Sequence, residues 1–94
     1  MDRSSLEELL TPITSASDPT SYSVRVAVLP DRERPVAGDW HDAVWRTIGG
    51  APHASILIGP GGALELGPGV YRTWIEITAP PEKPVVVSPC FKVT

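Results

Sequence analysis

Residues 66–87 read LGPGVYRTWIEITAPPEKPVVV, and the fold class turns on this stretch. Tyr71, Thr73, Ile75 and Ile77 alternate with Val70, Arg72, Trp74 and Glu76. A period of two places each set on one face of a β-strand, the first set apolar enough to meet a core. Gly67, Pro68 and Gly69 precede the run, and a proline-studded turn at residues 80–84 follows it. Both are turn punctuation. The β-branched Val85, Val86 and Val87 then begin another strand, so the stretch reads as a hairpin with one apolar face.

Working outward, the same period recurs. Tyr22, Val24, Val26 and Val28 alternate with Ser23, Arg25 and Ala27. Residues 30–38 (PDRERPVAG) form a charged loop, and residues 39–48 (DWHDAVWRTI) read as a strand with Trp40 and Trp45 on alternating faces. Residues 53–58 (HASILI) follow, ending in the turn Gly59-Pro60-Gly61-Gly62. Leu64 and Leu66 mark a short strand at 63–66, and Phe91 and Val93 alternate in a closing strand at 85–94. Six to seven short strands about ten residues apart predict an antiparallel β-sandwich or small barrel over residues 22–94. The expected core is Tyr22, Val24, Val26, Val28, Leu64, Leu66, Tyr71, Ile75, Ile77, Phe91 and Val93, each on the apolar phase of its run.

The N-terminal residues follow another period. Leu6, Leu9, Leu10 and Ile13 fall at i, i+3, i+4 and i+7, and Ser5 with Glu8 matches a capping box. This predicts a short amphipathic helical arm over residues 1–13, ended by Pro12, with a polar linker at 14–21 (TSASDPTS). Such a helix is marginal alone, so it should dock its aliphatic stripe, and the linker is long enough for a neighbouring subunit to be the favoured receiver.

Composition narrows the partners. The 94 residues make one domain. A chain of this length buries only about 60–65% of its unfolded surface, so association is a natural source of further burial. Eight basic against eleven acidic residues give a net charge of −3 with no basic stripe, which argues against sequence-specific nucleic-acid binding. The single Cys90 excludes an internal disulfide framework and fits a reducing compartment. No apolar run approaches the roughly 20 residues that span a bilayer, and no signal-peptide core opens the chain. The expectation is a soluble protein made in the cytoplasm, without membrane partners.

Residues with chemical potential lack partners at usable spacing. His41 and Asp42 are adjacent on a strand and so point to opposite faces. His53 has no metal-ligand spacing to His41, and Gly59-Pro60-Gly61-Gly62 lacks the Gly-Lys-Ser/Thr of a phosphate loop. Ser88 lacks a nucleophile-elbow context, and Cys90 has no histidine beside it. No catalytic, cofactor-binding or metal-binding residue is expected, and no cofactor. Trp74, outward beside Arg72 and Glu76, reads either as an interface residue or as a tryptophan covered by the N-terminal arm.

Gly69-Val70-Tyr71 before an alternating strand resembles the turn of immunoglobulin-like sandwiches, where a tyrosine at a strand's start bonds back to the preceding turn. The longer segment LIGPGGALELGPGVYRTWIEITAPPEKPVVVSPCFKVT resembles small structural proteins from the head and neck genes of long-tailed bacteriophages. Gly59-Pro60-Gly61-Gly62, Gly69, Tyr71, Trp74, Ile75, Ile77, Thr78, Pro81, Glu82, Pro84 and Val85 carry the likeness, which covers about residues 20–94. Phage baseplate sandwich domains share a looser version, ending in a strand like Phe91-Lys92-Val93. Cys90 departs from the pattern, and so does the helical arm.

The resemblance implies an immunoglobulin-like sandwich and a non-enzymatic virion structural protein of the head-to-tail connector, assembled as a homo-oligomeric ring. Portal, connector, capsid or tail proteins would be its partners. The interface residues are then Leu6, Leu9, Leu10 and Ile13 on the arm and Arg72, Trp74 and Glu76 on the sandwich. Capsid decoration, a tail-associated role, or a host carbohydrate- or peptide-binding module are the alternatives.

Overall fold

The alternating run at residues 69–78 folds as the longest strand of an all-β protein. The computed structural model describes residues 5–14, 18–79 and 83–94. Residues 1–4 of the expected arm, 15–17 of its linker, and Pro81 and Glu82 of the matched segment lie outside them. Among the described residues the strands are β1 (Glu7–Pro12), β2 (Ser23–Pro30), β3 (His41–Asp42), β4 (Val44–Ile48), β5 (Ala51–Ile58), β6 (Gly69–Thr78), β7 (Val85–Val87) and β8 (Phe91–Val93). One 3-10 turn spans Ala37–Asp39.

Two antiparallel sheets face each other. The first is ordered β1-β5-β4, and the second β3-β2-β6-β7 with β8 also on β6. Val24, Val26, Val28, Ile75 and Ile77 from the second sheet pack against Ala54, Ile56 and Ile58 of β5 and Ile13 just past β1. Leu64, Leu66, Tyr71 and Phe91 are half-buried around this cluster, and Val93 is buried. Tyr22 departs from expectation at 41% exposed. Its N–H bonds to Pro19 O at 3.0 Å, closing a turn that ends before β2, so it never joins the strand's inward phase.

The N-terminal helix is replaced by a strand. Residues 7–12 pair with β5, from Glu7↔Ile58 to Pro12↔His53. The helical spacing also contains a period of two, in which Leu9, Thr11 and Ile13 share a face. A helix of little more than two turns is marginal, whereas the ladder satisfies β5's open edge and buries Ile13 and Thr11. Ile13 N–H bonds to Pro52 O at 3.0 Å, so alternate residues turn their backbone groups toward β5. Pro12 falls on the other phase, at the sheet edge, where a missing N–H costs no ladder bond. Glu8 does not close a capping box: its carboxylate accepts from Ser55 Oγ on β5 and from Arg46 on β4, the latter at 2.9 Å.

Three expected strands are also redrawn. Residues 39–48 divide at Ala43 into β3 and β4, which belong to different sheets. At 63–66 only a single bridge forms, Ile58↔Leu64. The closing strand divides into β7 and β8, laid end to end along β6. Tyr71 pairs with Phe91 and Trp74 with Val87, so the closing strand carries one residue more than β6 between these points. Such a bulge suits Pro89 at a sheet edge. Ser88 Oγ fills the interrupted ladder by accepting the Thr73 N–H at 3.2 Å.

Candidate functional site: a tryptophan and arginine groove on one sheet face

The outward phase of β6 places Arg72, Trp74 and Glu76 in a row on the second sheet, with Arg25 and Ala27 of β2 opposite Glu76 and Trp74. Arg25 Nε donates to Glu76 Oε1 at 3.1 Å, and its guanidinium carbon lies 5.4 Å from the centre of the Trp40 ring. This stacks a cation on an aromatic face. At the other end of the row, Arg72 donates to Cys90 Sγ at 3.0 Å and pairs with Asp31 Oδ1 at 3.3 Å, while the thiol donates to the same carboxylate oxygen at 3.3 Å. The hydrogen bond to Cys90 raises the Arg72 pKa, so the guanidinium stays cationic.

Ala27 belongs to this outer face, yet none of its surface is exposed. The loop at 31–36, Trp40 and Trp74 frame this part of the face. Two adjoining depressions result. One, of about 350 Å³, is lined by Asp31, Arg32, Glu33, Arg34, Arg72 and Trp74. The other, of about 320 Å³, is lined by Arg34, Pro35, Trp40, Trp74 and Val85. Arg34 and Trp74 are common to both, so they form one groove. Arg72 Nε and Trp74 Nε1, donors of two lining residues, are inaccessible and have no hydrogen-bond partner among the described residues.

Beside the groove runs the edge strand β7. Ile77 N–H bonds to Pro84 O and Ser88 N–H to Thr73 O. Alternate residues therefore face β6, and Val85 and Val87 turn their backbone N–H and C=O groups outward. Among the described residues no strand lies beyond β7. Val85, Val86 and Val87 are 48%, 37% and 39% exposed.

The expected interface residues thus divide between two sheets. Arg72, Trp74 and Glu76 lie together, although Arg72 and Glu76 are held in ion pairs. Trp74 is half-buried, and the loop at 31–36, Trp40 and β7 surround it instead of the N-terminal arm. Ile13 is buried in this chain's own core at 5% exposure and Leu9 packs against it, Leu10 is half-buried, and Leu6 is exposed. His41 lies on β3 of one sheet and His53 on β5 of the other. Among the described residues no group of three or more histidine, cysteine, aspartate or glutamate side chains is placed to hold a metal ion, and no helix is long and apolar enough to cross a membrane. The Gly59–Gly62 segment is a hydrogen-bonded turn, Gly62 N–H to Gly59 O at 2.9 Å. A Cβ on Gly59 would clash with the Ser5 carbonyl oxygen, so the turn seats the residues just before β1.

Arg25, Arg34 and Trp40 were not singled out by the sequence as one site. The charged loop that holds Arg34 reads as solvated, and nothing local ties it to Arg25 on β2 or to Trp40. Comparison of the chain with protein-family models, with curated proteins and with solved structures finds no match.

Proposed function

We propose that this chain is a non-enzymatic virion structural protein of the head-to-tail connector of long-tailed bacteriophages, working as a ring of identical copies. The observation that carries the reading is the edge of β7. Three exposed valines and unpaired outward backbone groups beside a tryptophan-lined groove form a surface that favours a partner. Repetition of one such heterologous contact around an axis closes a ring, and the ring presents the same groove to portal, capsid or tail proteins in many copies. The likeness of residues 20–94 to phage head and neck proteins supports this context. The bond from Tyr71 Oη to Gly67 O, 2.8 Å, supports the immunoglobulin-like form of the sandwich, because a tyrosine at the start of a strand there reaches back to the preceding turn.

The test is the mass of the purified chain by native mass spectrometry, with electron microscopy of the same sample. A discrete multiple of the chain mass with ring-shaped particles is expected. A monomer at all concentrations contradicts the ring and favours the second reading, a peptide- or carbohydrate-binding module, for which the groove itself is the supporting observation.

A further inference from the structure

We propose that the groove between the 31–36 loop and β6 binds the carboxylate side chain of an extended acidic segment of a partner protein. Two buried donors, Arg72 Nε and Trp74 Nε1, have no acceptor among the described residues, an arrangement that folded proteins avoid unless something else supplies one. Both belong to residues lining the same depression. The lining also holds Arg32 and Arg34, for which no ion pair forms among the described residues, against a single unpaired Glu33, since Asp31 is engaged by Arg72. Surplus cations in the lining favour an anion over a neutral ligand.

The surroundings favour a peptide as the carrier. Val85 forms the lip of the groove and turns its backbone groups outward. A strand added to β7 therefore sets alternate side chains beside the opening. Admission requires the 31–36 loop to shift, and that loop holds Arg32 at a φ of 79°, a conformation costly for a residue with a side chain. Trp40 and Pro35 then supply an apolar wall that keeps the anion's surroundings dry and its bonds strong.

The inference deepens the assembly reading by naming the partner's chemistry, and its test is made on the unassembled chain. The intact chain is titrated with the peptide Ac-Val-Glu-Val-Glu-Val-NH2 and with its Gln counterpart, following tryptophan fluorescence and the indole N–H resonance of Trp74, which Trp74→Phe identifies. The acidic peptide should bind about tenfold or more tightly than the neutral one and shift that resonance downfield, with Arg34→Ala removing most of the preference. Arg34 is exposed, so its replacement leaves the fold intact. Equal affinities, an unmoved Trp74 resonance, or the same shift produced by cellohexaose instead of the peptide would overturn the proposal. The titration is run at a chain concentration where native mass spectrometry shows monomer, so its outcome is read on free β7 edges.

Discussion

Replacing Ile75 by alanine tests whether the two sheets share the core described. Ile75 exposes none of its surface, sits between Val26 on β2 and Val86 on β7, and packs in the cluster that includes Val26 and Ile58, themselves 1% and 2% exposed. Ile75→Ala removes Cγ1, Cγ2 and Cδ1 where the neighbours are tied into ladders and relax little. The lost burial and the residual cavity together cost about 3–4 kcal/mol. A domain of this size has roughly 5–10 kcal/mol of stability, so the variant folds but melts lower by about 15–20 °C. Val86→Ala is the internal control. It shares the inward phase but is 37% exposed, so its cost is below about 1 kcal/mol. Urea unfolding and calorimetry of both variants measure the difference. An Ile75→Ala variant within about 4 °C of the parent, or a Val86→Ala variant equally destabilised, would refute the packing argument.

Tyr71→Phe keeps the ring 6.1 Å from Phe91 but deletes the bond to Gly67 O, and should cost about 1 kcal/mol in denaturant unfolding. Removing residues 1–13 strips β5 of its β1 ladder and the core of Leu9 and Ile13; broad, poorly dispersed amide resonances are expected, and a well-folded truncated chain would show that β1 is dispensable. Asp18 accepts Thr20 N–H at 3.0 Å and Thr20 Oγ1–H at 2.7 Å, and the backbone bond first, then the hydroxyl, lower its pKa. A folded pKa below the unfolded one adds stability that is present above the unfolded value and is lost as pH falls through the folded one. Asp18→Asn should therefore flatten the acid-side decline of stability below about pH 5, read by urea midpoints across that range.

The inward phases of β2 and β6 were legible because a strand buried on one face imposes a period of two on its own residues. What escaped depended on distant partners. Leu9 and Ile13 satisfy both a helical and an alternating pattern, and only the open edge of β5, distant in the sequence, decides between them. The run at 39–48 keeps its alternation through Ala43, so nothing local reveals that its halves pair in different sheets. The row of Arg72, Trp74 and Glu76 was readable from β6 alone. The groove beside it was not, because the 31–36 loop that lines it has the composition of a solvated one. The valines at 85–87 were read as strand, but that they form an edge is a property of sheet order.

The central claim is that the β7 edge is the assembly contact, and Val87→Lys tests it most directly. The outward backbone groups of Val87 do not serve β6, so a lysine there leaves the ladder intact while charging the edge. Sedimentation velocity of the parent and the variant at matched concentrations is the measurement. The account predicts a ring-sized species for the parent and a folded monomer for Val87→Lys. Unchanged sedimentation of the variant, with the parent assembled, would contradict it.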